Sequence, residues 1–365
     1  MFRNPMKKIL FSATALVAVV SLVLAGCGDD NDSEGADSSD KPLIVVTTNI
    51  LGDVVTNMVG DSFDVETIMP PGSDPHDFQA SAQQVQMMMS ADLLIVNGAN
   101  FEEGMLDVIE NAESDGVMIF EATSVISQLE GSDDHSDHGG HDDHDEEKDH
   151  DDHEGHDDHD EEKDHDDHEG HGHDEEKDHD DHEGHDHGGI DPHFFTDPAR
   201  MAIVAQELSE VLAANFPDAD QGFVSTANDY VQQLQDLDSE VEETLSVISS
   251  DKRLLVTNHG VFAYFADRYS FTILGEIIPS SSTLASASAQ QLASLAEEIK
   301  ESQVKAIFAD ASSSDALAQT LADEVNDVKV INLYTESLGD PGSSGDSYID
   351  MIRFNAEAIA SALVE

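Results

Sequence analysis

The stretch Leu43-Ile44-Val45-Val46-Thr47-Thr48-Asn49-Ile50-Leu51-Gly52-Asp53-Val54-Val55-Thr56-Asn57-Met58-Val59-Gly60-Asp61-Ser62-Phe63-Asp64-Val65-Glu66-Thr67-Ile68-Met69-Pro70-Pro71-Gly72 decides the fold. Leu43 to Thr47 is short and rich in β-branched residues, which reads as a buried strand. Ile50 to Val59 is amphipathic and stops at Gly60, a helix with its terminator. Phe63 to Met69 is the next strand, closed by Pro70-Pro71-Gly72. Strands alternating with helices of about ten residues belong to a parallel sheet covered by helices.

The rhythm continues in both directions. Ser81 to Ser90 reads as a helix, Asp92 to Val96 as a strand, Phe101 to Ala112 as a helix and Val117 to Phe120 as a strand. It returns with strands at Arg253 to Thr257, Phe271 to Ile278, Ala306 to Ala309 and Val328 to Leu333. Helices are expected at Val261 to Tyr269, Ala289 to Ser302, Ala316 to Val325 and Tyr348 to Val364. Between the two sets, Ala199 to Ser249 carries no strand signal. There Val231, Leu234, Leu237, Val241, Leu245 and Ile248 recur at three- and four-residue steps, the stripe of a long helix, and Pro217 separates it from a shorter one. The expected fold class is α/β: two lobes, each with a mainly parallel sheet flanked by helices, joined by a long rigid helix. The expected organisation is a signal peptide at 1–26, a tether at 27–41 and an N-terminal lobe at 42–198 interrupted by a segment at 131–189. Connecting helices at 199–250 and a C-terminal lobe at 251–365 complete it.

Charge limits the partners. The chain has 365 residues, with 79 Asp+Glu against 15 Lys+Arg and a formal net charge of −64, which excludes a nucleic-acid binder. The hydrophobic share is 39%, but the segment from Gly131 to Gly189 holds no hydrophobic residue; without it the remainder reaches roughly 46%, an ordinary globular value. Outside that segment the mature part still carries 50 acids against 9 bases. That excess exceeds what recruiting a cation needs and fits a salt-rich habitat.

Cys27 is the single cysteine, so intramolecular disulfides and multi-cysteine metal sites are excluded. Before it stand Arg3, Lys7 and Lys8, an apolar run from Ile9 to Ala25, and Leu24-Ala25-Gly26. A positive region, an apolar region and small residues before the cut describe a secretory signal. Leu-Ala-Gly-Cys resembles the bacterial lipobox, which implies lipidation of Cys27; an uncleaved anchor is the alternative. The Asp-, Ser- and Gly-rich residues 28–40 read as a flexible tether. The chain is therefore expected to be exported and lipid-anchored at the outer face of the cytoplasmic membrane, or periplasmic.

The interrupting segment is a repeat. His-Asp-Asp-His-Asp-Glu-Glu-Lys-Asp-His-Asp-Asp-His-Glu-Gly stands at 141–155 and 156–170, and a shortened copy at 171–184. With no apolar side chain it cannot offset its ordering entropy and is expected to be a mobile loop. It holds 16 of the 19 histidines: His135, His138, His141, His144, His150, His153, His156, His159, His165, His168, His171, His173, His179, His182, His185 and His187. A solvated spacer would explain the acids but not histidines at this density, so auxiliary binding of divalent metal is expected here.

Three histidines remain, His76, His193 and His259. His76 lies in Pro70-Pro71-Gly72-Ser73-Asp74-Pro75-His76-Asp77-Phe78, a loop leaving a strand. His193 lies in Asp191-Pro192-His193-Phe194-Phe195-Thr196-Asp197-Pro198. His259 follows a strand and is expected to open a helix. Ligands of open parallel sheets bind at strand carboxyl ends, and prolines stiffen the backbone around the first two. A lone histidine reads as a packed imidazole; three placed this way read as a site.

With these motifs the chain resembles the substrate-binding lipoproteins of metal ABC importers, the zinc/manganese group, and most closely its zinc-binding branch with a His-rich loop. The motifs are Pro-Gly-x-x-Pro-His-x-Phe at 71–78, Asp-Pro-His-x-x-x-Asp-Pro at 191–198, and Asn258-His259-x-x-Phe262-x-Tyr264-Phe265 with Tyr269. Leu333-Tyr334-Thr335-Glu336-Ser337-Leu338 and Gly345-Asp346-Ser347-Tyr348 complete them. The resemblance implies metal ligands at His76, His193 and His259, with Glu336 where the family places an acid that binds directly or leaves the position to water. It implies Zn²⁺ as the transported ligand, with Mn²⁺ second, a membrane permease with its cytoplasmic ATPase as partner, and a monomer. Two departures are Phe195, usually Trp, and Ala80, usually Pro; neither is expected to touch a ligand. Three imidazoles and one carboxylate suit Zn²⁺, whereas Mn²⁺ takes more oxygen. Asp310, also at a strand end, is expected to support the site rather than bind. Three histidines on zinc with an open position also describe a hydrolase, but no base or nucleophile accompanies them. A surface zinc buffer is a further rival; nothing here speaks for adhesion.

Overall fold

The computed structural model describes residues 41–131 and 189–364. The leader, Cys27 and the sixteen histidines of the repeat lie outside the described residues.

The decisive stretch folds as read. Strand β1 (Leu43–Val46) leads into helix α1 (Asn49–Val59), whose Thr48 cap accepts the Leu51 N–H, and the helix ends at Gly60 with φ +52°. Strand β2 (Asp64–Thr67) then pairs in parallel with β1. After helix α2 (Ala82–Met89), β3 (Leu93–Val96) joins the other side of β1; helix α3 (Leu106–Ser114) and β4 (Ile119–Glu121) follow. The sheet order is β2-β1-β3-β4, all parallel. Helices α4 (Pro198–Asn215) and α5 (Phe223–Leu245) come next, separated around Pro217 as expected. Strand β5 (Leu254–Thr257), helix α6 (Ala263–Tyr269), β6 (Thr272–Glu276), helix α7 (Ala289–Ser302), β7 (Ala306–Asp310), helix α8 (Ala316–Val325), β8 (Lys329–Leu333) and helix α9 (Tyr348–Val364) build the second half. Its sheet repeats the order, β6-β5-β7-β8, again parallel. The fold class is thus two lobes of parallel sheet flanked by helices.

Local chemistry sets the helix starts. Ser81 with Gln84 and Ser288 with Gln291 form reciprocal capping boxes. Asp197 accepts the Ala199 and Arg200 N–H groups ahead of Pro198, the residue suited to a first helical position. Two starts differ from expectation. Helix α3 begins at Leu106, not Phe101, because Ala99 and Asn100 are left-handed and Gly104 lies under the Phe78 carbonyl. A Cβ at Gly104 would stand 2.4 Å from that oxygen. Helix α6 begins at Ala263, so His259 sits in the loop after β5 and does not open the helix.

Three apolar clusters hold the fold. One lies between the β1-containing sheet and helices α2 and α3, another between the β5-containing sheet and helices α7 and α8. The largest is continuous across both lobes: α1, α4, α5, α6 and α9 contribute to it, and α5 packs on α1, α4 and α9. The stripe Val231, Leu234, Leu237, Val241, Leu245 and Ile248 is buried along its length. No described helix is long and apolar enough to cross a membrane.

The ends of the repeat segment are joined. Glu130 and Ile190 form an antiparallel bridge, Gly131 N–H donates to the Gly189 carbonyl at 2.9 Å, and Asp191 N–H donates to Leu129 at 2.8 Å. Two residues further on stands His193.

Candidate metal centre

Each half contributes loops from the carboxyl ends of its strands. The loop after β2 carries His76, the segment before α4 carries His193, the loop after β5 carries His259, and the loop after β8 carries Glu336. The structure brings all four together: one donor atom from each lies within 4.8 Å of the others, and all four residues are buried. Glu336 Oε1 is the centre of the cluster. It lies 3.1 Å from His76 Nε2, 3.1 Å from His193 Nε2 and 2.7 Å from His259 Nε2.

The second ring nitrogens explain how the imidazoles are aimed. His193 Nδ1 donates to Asp191 Oδ1 at 2.8 Å, and the same oxygen accepts the His193 backbone N–H at 2.8 Å. His76 Nδ1 donates to Glu103 Oε1 at 2.9 Å. An ionised carboxylate only accepts, so in each neutral ring the proton sits on Nδ1 and the Nε2 lone pair points inward. Lone pairs then face a carboxylate oxygen, an arrangement that needs a cation between them, either protons or a metal ion. Burial alone disfavours a charged imidazole, but Glu336 and Glu103 overcome it and raise His76 to about 10. His193 is raised in the same way, Asp191 and Glu336 outweighing its burial. Burial likewise works against a charged Glu336, yet the charges of His259 and His76 and the hydrogen bonds from His193 and His259 hold it well below the usual carboxylate range.

Hydrogen-bonding capacity is left over here. His259 Nδ1, Glu336 Oε2, Asp191 Oδ2 and Thr335 Oγ1 are buried without a hydrogen-bond partner. Such atoms are rare in folded proteins, and the one on Glu336 belongs to the carboxylate that the three Nε2 atoms face, where an ion would use it. Asp310, at the end of β7, stands apart: its carboxylate accepts the Ser312 N–H at 2.6 Å and hydroxyl at 2.8 Å. Burial and the Glu336 charge push it up to about 6.

Aromatic and polar packing fixes the frame. Phe101 meets His76 and His193 edge-on, with centroids 5.1 and 5.4 Å away. Phe195, a departure from the family pattern, packs edge-on against His193 at 5.9 Å, so this departure lies against an expected ligand after all. The short 3-10 turn at Phe194–Thr196 places the ring there. Below it, Glu102 accepts the Thr47 hydroxyl at 2.5 Å and the Asn97 N–H at 2.7 Å, while the Asn97 amide donates to Pro192 at 2.9 Å. Asp191, Glu103, Glu102 and Asn97 were not among the expected functional residues. Only Asp191 had a signal, its place two residues before His193 in a motif.

Fold and site define a two-lobed protein that captures a divalent metal ion. The chain belongs to the family described as "ZnuA: Zinc-uptake complex component A periplasmic", which matches residues 44–362. A manganese ABC transporter substrate-binding lipoprotein, PsaA, of Streptococcus anginosus is 25% identical over 98% of this chain and 99% of its own. The manganese-binding lipoprotein MntA of Halalkalibacterium halodurans is 24% identical over 98% and 99%. Among solved structures, the periplasmic zinc-binding protein TroA of Treponema pallidum superposes with a TM-score of 0.67 at 24% identity, covering 88% of this chain and 99% of that one. The chain is a metal ABC transporter substrate-binding protein, a solute-binding component and not an enzyme.

Proposed function

We propose that the protein captures Zn²⁺ between its lobes through His76, His193, His259 and Glu336 and delivers it to an ABC permease driven by a cytoplasmic ATPase. The observation that carries this reading is the convergence of three imidazole Nε2 atoms on one carboxylate oxygen. Three nitrogens and one oxygen are a tetrahedral zinc donor set. Zinc bonds of about 2.0–2.1 Å at tetrahedral angles keep ligand atoms about 3.3 Å apart. The contacts of 2.7–3.1 Å therefore need open by only a few tenths of an ångström. Manganese is the second reading, favoured by the names of relatives such as PsaA and MntA. Against it stands the shortage of oxygen donors.

In the same proposal, Cys27 carries a lipid that holds a monomer at the outer face of the cytoplasmic membrane. Residues 1–26 are its signal and 27–41 its tether, with lobes at 42–198 and 251–365 and connecting helices at 199–250. The histidines of the 131–189 segment act as weaker, auxiliary metal sites.

The test separates the two kinds of site. Calorimetry of the full chain with zinc should give one tight event, then a weaker multi-ion phase. Deleting residues 132–188 joins ends that already meet through Gly131 and Gly189, and it should abolish only the weak phase. Replacing His76 and His193 by Ala should abolish only the tight one. If the deletion removed the tight event, the protein would be a zinc buffer and the folded lobes its carrier.

A further inference from the structure

The loops bearing His76 and Glu336 come from opposite lobes, and two sets of hydrogen bonds tie the His76 side to the opposite lobe, one to the Glu336 loop and one to the loop between β6 and α7, without involving either metal-facing atom. Asn49, the first residue of α1, is buried and makes three bonds: its amide donates to the Pro70 carbonyl at 3.0 Å and to Ser337 Oγ at 2.8 Å, and its oxygen accepts the Leu338 N–H at 2.8 Å. Ser337 Oγ also accepts the Gly72 N–H at 2.8 Å. One carboxamide and one hydroxyl thus tie residues 70–72, just ahead of His76, to the residues that directly follow Glu336. A second tie lies beside it. One oxygen of Asp74 accepts the His76 N–H at 3.0 Å, and the other accepts the Thr283 hydroxyl at 2.8 Å from the opposite lobe.

Resting on the metal-binding reading above, we propose that Asn49–Ser337 and Asp74–Thr283 form a clasp that sets the rate at which the captured ion is released. In this proposal Glu336 withdraws from His76 and His193 with its loop, as that loop moves away from the other lobe. That movement stretches the bonds at Asn49, Ser337 and Gly72 together, and the Thr283 bond with them. Entry needs the same loops apart, but in the open state the clasp is already broken. Its energy therefore falls on departure, not on arrival. Asn49 and Thr283 are positioning residues: neither offers a metal an atom, and each holds a loop that does.

The experiment measures zinc association and dissociation separately, with a chelating indicator in stopped flow, on the full chain carrying Asn49→Ala, Ser337→Ala or Thr283→Val. Asn49→Ala should speed release on the order of 10- to 100-fold and Thr283→Val on the order of 3- to 10-fold, from the net worth of the bonds each removes. Association should stay within about twofold. Asn49→Ala combined with Ser337→Ala should cost less than the two separately, since they share a bond. Leu234→Ala on α5, destabilised to a similar melting temperature, should release at the wild-type rate, which a general loosening would not allow. Thr283→Val is nearly isosteric and reads the second tie even if Asn49→Ala fails to fold. Wild-type release rates in folded variants, or equal changes in Leu234→Ala, would overturn the clasp while leaving zinc capture standing. A wild-type protein that takes up no zinc would overturn both.

Discussion

Replacing Asp191 by Ala removes the carboxylate that aims His193 and leaves the imidazole itself in place. Asp191 is 1% exposed, and one oxygen serves both the ring Nδ1–H and the backbone N–H of His193 at 2.8 Å each. Losing such a partner of a ligating histidine costs about 10- to 100-fold in metal affinity, or about 1.4–2.7 kcal/mol. Burial without solvent screening puts Asp191 towards the upper part of that range. Glu103 makes the matching contact to His76 at 2.9 Å, but its side chain is 29% exposed, so Glu103→Ala should cost no more than the lower part. Asp191→Asn should fall between wild type and Asp191→Ala: an amide oxygen can still accept both N–H groups, but without the charge. Zinc titration of the protein lacking residues 132–188 measures the affinities directly. Thermal melts at fixed excess zinc give an independent reading, because the ligand's stabilisation shrinks with its affinity. At about 2–4 °C per kcal/mol, the zinc-induced rise in Tm should fall by about 3–10 °C for Asp191→Ala. A folded Asp191→Ala protein with wild-type affinity, or a larger loss in Glu103→Ala, would refute the role given to the buried carboxylate.

Three further outcomes are expected. His259→Glu makes the donor set two imidazoles and two carboxylates and should shift preference from Zn²⁺ towards Mn²⁺; an unchanged order in competition titrations would mean that His259 is not a ligand. His76 is raised to about 10 by Glu336 and Glu103 against its burial, so at pH 8 the metal-free protein holds a proton there that the metal must displace. Affinity should then rise with pH from 6 to 9, and calorimetry at pH 8 in two buffers of different ionisation enthalpy should show at least one proton released per zinc. In the metal-free protein the same raised value adds stability that is complete below about pH 6.5 and lost as pH climbs through about 10, which denaturant titrations can follow. Cys27→Ser should move the protein from the membrane fraction to the soluble one with zinc binding unchanged; retention in the membrane would assign the anchor to the apolar leader.

The parallel sheets were legible because their strands are short apolar runs between amphipathic helices, a pattern in which neighbours along the chain carry the information. Helices α7, α8 and α9 begin and end where their periodicity does. Where a distant contact bears on the backbone, the reading slipped: α3 starts late, and the turn just ahead of it holds Gly104 under the carbonyl of Phe78, a residue of another loop. The site divides in the same way. His76, His193 and His259 stood out because the chain offers so few histidines outside the repeat, and Glu336 stood in a motif. Glu103, Asn49 and Thr283 carried no signal, since an acid, an amide and a hydroxyl on a polar loop look like solvent-facing residues until the fold brings their partners close. Phe195 shows the limit of reading a departure from position alone: two residues from His193 in sequence, its ring still turns back onto the imidazole.

Two sheets with the same strand order look like two copies of one unit that evolution could trade separately. The continuous apolar cluster through α5 forbids that trade. A fragment ending at α5 would leave that helix without its α9 packing, and a fragment beginning at β5 would expose α9 in turn. Neither half should be recoverable as a stable protein, and recombination within the family should succeed only at points that carry the whole of α4, α5 and α9 together.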